Sequence, residues 1–255
     1  MCRMLALRSA QARTLAWPLL DAPDSLLALS HEHRHGWGLA RYVGSQPVVV
    51  KGTLPAHEDP EFEGAGRSLE GRCLLAHIRK ASVGSIRLEN CHPFHFRRWV
   101  FAHNGTVPHF EETRERLDEA IDPGYLGLVR GDTDSERCFA LFLTRLQALG
   151  ALEKPPVEVL ACALAETIDR VRRLSPDPAT ALTLMATDGE SLVGVRAGDR
   201  ELGFWGREGE HLLIASEPPS PDLPWTRLAD GEIVAADRDL RLRRWWLAGP
   251  ALSAR

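Results

Sequence analysis

Two stretches near the middle of the chain decide how the rest of it folds: TDSERCFALFLTRLQAL at residues 133–149 and PVEVLACALAETIDRVRRL at residues 156–174. Apolar residues recur in the first stretch at the three- and four-residue spacing of an amphipathic helix, at Phe139, Phe142, Leu143 and Leu146. Gly150 follows the stretch, which is typical of a helix end. The second stretch repeats the apolar spacing, and Pro156 suits the first turn of a helix. The sequence therefore predicts two consecutive helices here.

Short apolar segments on both sides of the helical pair are predicted as strands. Before the pair they cover residues 2–7, 39–43, 47–51, 72–79 and 99–103, and after it residues 181–186, 191–195, 212–216, 232–236 and 240–246. An earlier helix is predicted over residues 24–35, with Asp24 as its N-cap. A block of two helices between groups of strands does not alternate as a doubly wound sheet does. The order indicates an α+β fold with helices on the outer faces of two sheets, and residues 1–255 are predicted to form a single domain.

The composition excludes several classes of protein. Hydrophobic residues make up 44% and charged residues 26% of the 255 residues, which is typical of a globular chain and argues against disorder. Lys and Arg number 31 against 35 Asp and Glu, and the net charge of −4 argues against electrostatic binding of nucleic acid. No apolar run approaches the length of a membrane span, and residues 5–7 are too short for a signal peptide. We therefore expect a cytoplasmic protein with no membrane and no nucleic-acid partner.

The five cysteines form no C-x-x-C pair, and reduced thiols are their simplest interpretation. Cys2 differs from the other four because it directly follows Met1. Its small side chain permits removal of Met1 by an aminopeptidase, so the mature chain is predicted to begin with cysteine. An N-terminal cysteine carries both a nucleophile, with a thiol pKa of about 8.5, and a base, an α-amine with a pKa of about 7.7–8.0.

Three other positions carry residue types suited to binding an amino acid. Arg79 ends a predicted strand, where its guanidinium suits a carboxylate, although a surface ion pair is the simpler explanation. Asn104 and Gly105 end another strand, where they suit either a turn or the stabilisation of an oxyanion. The acids on either side of Thr133 suit a helix cap or a substrate ammonium. Together with an N-terminal cysteine, these groups can bind an α-amino acid by its two charges and attack its side-chain carbonyl.

Seven short segments occur in an order that matches one enzyme family. They are Met1-Cys2-Arg3, Gly36-Trp37-Gly38, Ala76-His77-Ile78-Arg79-Lys80-Ala81-Ser82, Asn90-Cys91-His92-Pro93-Phe94, Phe101-Ala102-His103-Asn104-Gly105, Gly131-Asp132-Thr133-Asp134 and Ala215-Ser216-Glu217-Pro218. With these segments the chain resembles the class II glutamine amidotransferases, which are N-terminal-nucleophile hydrolases, and in particular their stand-alone branch. One such segment alone is a weak signal, whereas all of them in order are specific, and they span nearly the whole chain.

The resemblance implies a fold, a reaction and a set of residues. The fold is a four-layer αββα sandwich, with two mostly antiparallel sheets covered by helices. The reaction is cleavage of a γ-glutamyl amide through a Cys2 thioester, with no metal or other cofactor, and it releases glutamate and ammonia or an amine. The α-amine of Cys2 is the implied base, and Asn104 with the Gly105 backbone N–H is the implied oxyanion hole. The implied substrate-binding residues are Arg79 for the α-carboxylate, Asp132 for the α-ammonium, and Ser82 and His92 in the pocket wall.

Other interpretations of the sequence stay open. The small-molecule substrate is either glutamine or a larger γ-glutamyl amide, as in the ergothioneine pathway, and a non-catalytic binding protein on the same fold is a further alternative. The length leaves no room for a synthase, so an ammonia-accepting synthase, where one exists, is expected to be a separate subunit. His31, His33 and His35 suggest a metal site, but residues two apart do not share a helix face, which argues against one.

Overall fold

The structure, a computed structural model, describes residues 2–248 and 251–254. Its strands are β1 (Arg3–Thr14), β2 (Trp37–Val43), β3 (Gln46–Gly52), β4 (Glu70–Ile78), β5 (Phe94–Phe96), β6 (Trp99–Thr106), β7 (Ala181–Thr187), β8 (Leu192–Val195), β9 (Gly203–Arg207), β10 (His211–Ala215), β11 (Thr226–Arg227), β12 (Glu232–Ala236), β13 (Leu242–Ala248) and β14 (Ala251–Ala254). Its α-helices are α1 (Leu26–Leu29), α2 (Pro60–Ser68), α3 (Phe110–Glu119), α4 (Pro123–Leu126), α5 (Asp134–Ala148) and α6 (Val157–Leu174).

The strands form two seven-stranded sheets. Sheet 1 has the order β11-β9-β10-β1-β4-β2-β3, and sheet 2 has the order β14-β13-β12-β8-β7-β6-β5. Neighbouring strands in the described part of the chain pair antiparallel. The first strand of the chain, β1, lies in the middle of sheet 1 between β10 and β4, which are both distant from it in sequence.

The side chains of β1 show why this strand lies in the interior. Successive residues of a strand point to opposite faces of the sheet. Met4 and Ala6 pack into the core between the two sheets, whereas Leu5 and Leu7 pack on the opposite face, against the helical layer. Because both faces of β1 are apolar, neither can be left in water, and the strand is buried from both sides.

Helices cover the outer face of each sheet. On sheet 1, Leu26 of α1 and Phe62 of α2 pack against strand residues such as Leu74. On sheet 2, α3, α5 and α6 supply the apolar layer, in which Phe142 and Leu164 are fully buried. The result is helices, sheet 1, sheet 2 and helices in four layers. The predicted αββα sandwich with two antiparallel sheets is therefore confirmed.

The two central helices begin and end close to the predicted positions. The side chain of Thr133 caps α5 by accepting a hydrogen bond from the Glu136 N–H at 3.3 Å. Gly150 follows α5 with a φ of 64°, a left-handed conformation that favours glycine. Pro156 is the N-cap of α6. No helix in the described residues is both long and apolar enough to cross a membrane.

The helix predicted over residues 24–35 is much shorter in the structure, where α1 has four residues. Its N-cap is Ser25, whose hydroxyl accepts the Ala28 N–H, whereas Asp24 instead donates its N–H to the Pro219 carbonyl. The Ser30 hydroxyl donates to the Leu27 carbonyl at 2.6 Å. Serine side chains that bond the local backbone compete with the helical ladder, which explains the early end of α1.

Candidate active site

The position of Cys2 follows from the pairing of β1 with β4. Arg3, the first residue of β1, is opposite Ile78, the last residue of β4. Cys2 therefore lies beside the chain that leaves β4, and its Sγ accepts a hydrogen bond from the Lys80 N–H at 3.4 Å. Desolvation by the surrounding protein raises the pKa of the Cys2 thiol, against the Lys80 hydrogen bond and the Arg79 charge, which lower it. The raised pKa favours the neutral thiol over the thiolate at Cys2.

The Lys80 turn is held beside Cys2 by the segment that precedes β2. The His35 N–H donates to the Arg79 carbonyl at 2.9 Å, and the Arg79 N–H donates to the Gly36 carbonyl at 2.8 Å. The ring of His35 continues this ladder, since its Nδ1 accepts the Ala81 N–H at 2.8 Å. His35 therefore positions the backbone that contacts the Cys2 sulfur, a role that no sequence motif indicated.

A cavity of about 170 Å³ lies beside Cys2, and we call it the Cys2 cavity. It is lined by Cys2, Lys80, Ala81, Ser82, Asn104, Gly105, Thr106 and Arg200. Four of the seven predicted site residues lie in this wall, at positions 2, 82, 104 and 105. The hydroxyls of Ser82 and Thr106 are 3.0 Å apart and join the loop after β4 to the end of β6.

The end of β6 forms the wall of the Cys2 cavity that suits an oxyanion. Asn104 is buried, yet its side-chain amide has no hydrogen-bond partner among the described residues, so its N–H groups are available to a ligand. Gly105 pairs with Leu182 of β7, and a Cβ at position 105 would overlap the Ala181 carbonyl oxygen. Only glycine lets the two strands approach this closely and keeps the end of β6 beside the sulfur.

Arg79 does not line the Cys2 cavity. Its guanidinium is buried and donates to three backbone carbonyls in the following loop, those of Ser85 at 2.7 Å, Val83 at 2.8 Å and Gly84 at 3.2 Å. In this structure the side chain therefore holds the loop in place. Contact of Arg79 with a substrate carboxylate stays a prediction.

The two acids that precede and follow Thr133 have different surroundings. Neither acid lines the Cys2 cavity. The Asp132 carboxylate accepts hydrogen bonds from the Asn90 side-chain amide and from the N–H and hydroxyl of Ser85. Desolvation raises the pKa of Asp132, but these hydrogen bonds bring it below its usual range.

Asp134 is buried, accepts the Val107 N–H at 2.8 Å, and its charge raises the pKa of the Cys2 thiol. Asp134 is thus the acid with an electrostatic effect on Cys2.

The sequence pattern G-D-T-D contains both acids and does not say which one affects the Cys2 thiol. The deciding feature is the start of α5 at Asp134, directly after the Thr133 cap. There the side chain reaches the backbone that follows β6, as its bond to the Val107 N–H shows. Arg200, which also lines the Cys2 cavity, belongs to no motif and was missed for that reason.

His92 is buried behind the site and does not line the Cys2 cavity. Its ring centroid lies 4.2 Å from that of His77, and neither ring has a hydrogen-bond partner in the described structure. Burial lowers the pKa of both imidazoles well below the usual value, and each is lowered further by neighbouring positive charge. Both histidines are therefore neutral in the folded protein.

The buried histidine pair predicts a loss of stability in acid. The folded-state pKa values lie below the unfolded value of about 6.5, so the unfolded chain binds more protons below that pH. The free energy of unfolding should then fall as pH decreases through 6.5, by up to about 1.4 kcal/mol per pH unit for each histidine. Urea unfolding at pH 7.5, 6.5 and 5.5 measures this slope.

A matched pair of variants tests whether the buried histidines cause this pH dependence of the free energy of unfolding. His92→Gln removes one titrating group and should make the slope shallower, whatever its effect on stability at neutral pH. His31→Gln, at an exposed histidine, should leave the slope unchanged. Identical slopes in the two variants would contradict the assignment to the buried pair.

The histidines considered as metal ligands do not converge. The ring of His31 stacks on His57 with centroids 3.8 Å apart, whereas the ring of His35 bonds the backbone of Ala81. The described residues contain no group of three or more His, Cys, Asp or Glu side chains arranged to hold a metal ion.

The fold and the site together define a class of protein: an αββα sandwich in which a cysteine directly before the first strand lines one cavity with an Asn-Gly pair near a strand end. A family model described as "Glutamine amidotransferases class-II" matches residues 1–209. The chain therefore belongs to the class-II glutamine amidotransferases, and the family predicted from the sequence motifs is confirmed.

Curated relatives extend this likeness over most of the chain. A gamma-glutamyl-hercynylcysteine sulfoxide hydrolase of Mycobacterium tuberculosis is 28% identical over 244 residues, which cover 92% of each chain. The corresponding hydrolase of Mycolicibacterium smegmatis is 30% identical and covers 92% of this chain and 95% of the relative. The probable glutamine amidotransferase DUG3 of Saccharomyces cerevisiae is 28% identical over 76% of this chain, which spans 62% of that longer protein.

A solved structure supports the fold assignment. A protein from Silicibacter pomeroyi described as a "glutamine aminotransferase class-II domain protein" superposes with a TM-score of 0.73 at 24% identity, covering 97% of this chain and 99% of the other. At this level of identity the likeness bears on the fold alone. It agrees with the four layers described above.

Proposed function

We propose that this protein is an amidohydrolase that cleaves a γ-glutamyl amide through Cys2 and releases glutamate and an amine, which is ammonia when the substrate is glutamine. The observation that carries the proposal is that Cys2, Asn104, whose side-chain amide has no partner among the described residues, and Gly105 line one cavity. These are a nucleophile and oxyanion-stabilising donors within one site. Membership of an amidotransferase family and relatives named as γ-glutamyl hydrolases support the same reaction.

The proposed chemistry starts with the α-amine that removal of Met1 exposes. This amine takes the Cys2 proton, and the thiolate attacks the γ-carbonyl carbon of the substrate. Negative charge that develops on the carbonyl oxygen is stabilised by the Asn104 amide and the Gly105 N–H. The C–N bond then breaks, the leaving amine takes the proton from the α-ammonium, and a γ-glutamyl thioester remains on Cys2. Water hydrolyses the thioester and frees glutamate and the thiol.

Recognition of the glutamyl α-groups is assigned to the acid that acts on Cys2. We place the substrate ammonium at Asp134 rather than Asp132, because only Asp134 is both buried beside the end of β6 and electrostatically coupled to the thiol. Ser82 keeps its predicted place in the pocket wall, and Arg79 keeps its predicted role in binding the substrate α-carboxylate. For Arg79 to bind a carboxylate, its guanidinium must break at least one of the hydrogen bonds that it donates to the loop carbonyls. His92 serves the site indirectly, from the core behind it.

The proposed function is tested by glutamate release from glutamine and from γ-glutamyl amides with larger amines. Activity on any of these substrates supports an amidohydrolase, and no release from any of them would leave the non-catalytic alternative. The mycobacterial hydrolases match this chain over nearly their whole length, which favours a hydrolase that acts without a synthase. A separate ammonia-accepting subunit, the cytoplasmic location and the single-domain organisation stay predictions.

The same assay separates the two acids when it is run on matched variants. Asp134→Asn keeps an oxygen that can accept the Val107 N–H but removes the charge, and KM for glutamine should rise about 10- to 150-fold because a charge-assisted bond is lost. Asp132→Asn, two residues away, should have a clearly smaller effect. An equal or larger rise in KM in Asp132→Asn would instead assign the substrate ammonium to Asp132, as predicted from the sequence.

A further inference from the structure

A larger cavity, separate from the Cys2 cavity, lies where the edges of the two sheets meet α5. It has a volume of about 490 Å³ and shares no lining residue with the Cys2 cavity. Its walls come from the edge strands β3 and β5, from α5, and from the segments that precede β5 and α5. The lining residues are Val49, Lys51, Leu88, Glu89, Phe94, His95, Leu128, Arg130, Glu136 and Phe139, and we call it the Lys51 cavity. This volume is many times what one water molecule requires, so a small organic molecule fits there.

The side-chain amine of Lys51 has no ion pair and no hydrogen bond in the described part of the chain, although most of this side chain is buried. Its Nζ lies 5.3 Å from the centroid of the Phe94 ring, which lines the same cavity. The two acids of the lining bond other groups, since Glu136 accepts two backbone N–H groups and Glu89 pairs with Arg87 at 3.0 Å. The Lys51 amine is therefore available to a ligand.

The surroundings of Lys51 favour its neutral form. Desolvation lowers its pKa to about 8, although the charges of Cys91 and of the two lining acids raise it. The titratable groups around it are Cys91, Glu89, Glu136, Arg130 and His95. At pH 7.4 about a fifth of the Lys51 amine is neutral, against about one part in a thousand for an ordinary lysine. A lysine that is desolvated in an apolar pocket is an activated nucleophile.

The chain has three lysines, and the other two have different surroundings. Lys154 is exposed, and its amine pairs with Glu190 at 2.7 Å. Lys80 is exposed and lines the Cys2 cavity. Lys51 alone combines an unpaired amine with a cavity whose walls are half apolar side chains.

We propose that Lys51 is a covalent attachment site, at which its amine forms an imine with an aldehyde whose apolar body lies in the Lys51 cavity. The nitrogen lone pair attacks the carbonyl carbon and forms the C–N bond, and the carbonyl oxygen leaves as water with the two amine protons. Glu136 is suited to carry these protons, because burial raises the pKa of its carboxyl. The apolar body packs against side chains such as Leu128 and Phe139. The inference does not depend on the proposed function.

The test is labelling with benzaldehyde and sodium cyanoborohydride, which reduces the imine to a stable secondary amine. Peptide mass spectrometry measures the labelling rates of Lys51 and Lys154 in one sample, and separates them from the adduct of the N-terminal cysteine. At pH 7.5 Lys51 should react at least about tenfold faster, since its larger neutral fraction outweighs its weaker basicity. The ratio should fall above pH 8, where Lys51 gains little more neutral amine whereas an ordinary lysine still gains it. In concentrated urea the ratio should be about one.

Narrowing the cavity separates binding of the aldehyde from simple reactivity of the amine. Leu128→Trp should lower the benzaldehyde ratio towards one but retain the ratio for formaldehyde, which is small enough to reach the amine. Val49→Trp is the second variant, used where a lost formaldehyde ratio shows that Leu128→Trp does not fold. The matched control is Leu126→Trp, at an exposed leucine outside the lining, which should keep both ratios. Equal labelling of Lys51 and Lys154 in the folded wild type, or an unchanged benzaldehyde ratio in the narrowed variants, would overturn the inference.

Discussion

Replacing Cys2 by alanine should reduce glutamate release on the order of 10⁴- to 10⁶-fold, since no other group in the cavity can form the thioester. The fold should survive, because the Cys2 sulfur forms hydrogen bonds only with the Lys80 backbone among the described residues, at 3.4 and 3.7 Å, and Cys2 is not part of the buried apolar core. Glutamate release measures the first effect, and circular dichroism with a thermal melt measures the second. Turnover near the wild-type rate in a folded Cys2→Ala protein would contradict the assignment of the nucleophile.

The base can be separated from the nucleophile without changing any side chain. An N-terminal extension keeps the Cys2 thiol but turns its α-amine into an amide, which cannot take a proton. Because desolvation already raises the thiol pKa, the extended protein should be nearly inactive at neutral pH. The matched control carries the same extension at the C-terminus. Intact mass identifies the mature N-terminus, and full activity with Met1 retained would contradict the α-amine as base.

Replacing Asn104 by alanine should lower kcat by about 10²- to 10³-fold, the usual effect of losing one oxyanion-hole donor. The carboxamide is buried at the cavity wall and has no partner among the described residues. Its N–H groups therefore have no structural bond to lose, and the effect should fall on the transition state. kcat and kcat/KM should decrease together, with little change in KM.

A second substitution tests whether the Asn104 side chain donates a hydrogen bond or only fills space. Asn104→Asp keeps the shape of the side chain but replaces its N–H donor by a negatively charged acceptor. If Asn104 serves to fill space, the aspartate should restore activity. If it donates to an oxyanion, the aspartate should be at least as damaging as alanine. Wild-type kcat in Asn104→Asp would therefore contradict the oxyanion role.

The central helices were predicted well because the signals that set their ends and faces lie within or directly beside the helices. The cap at Thr133, the apolar spacing of α5 and the glycine after it all act within a few residues. The same reasoning overestimated α1, where Ser30 bonds back to the Leu27 carbonyl and to a neighbouring segment at His57. The helix end there depends partly on a contact 27 residues away, which no local pattern contains.

The motifs predict which residues lie around the candidate site better than they predict the contacts of those residues. The motifs located Cys2, Ser82, Asn104 and Gly105, which meet in one cavity. They did not show that the Arg79 guanidinium holds carbonyls of its own loop, because a strand-end arginine has the same pattern in either role. Arg200 was not predictable, since it reaches the Cys2 cavity through the packing of a loop that is far from Cys2 in sequence.

The central place of β1 in sheet 1 has a consequence for how the protein is made. One neighbour of β1 is complete once residue 78 has been synthesised, but the other is β10, at His211–Ala215. Until β10 leaves the ribosome, one edge of β1 has no partner, and the chain start stays accessible. We therefore expect that removal of Met1 acts on the nascent chain, and that Cys2 takes its final position only after most of the polypeptide has emerged.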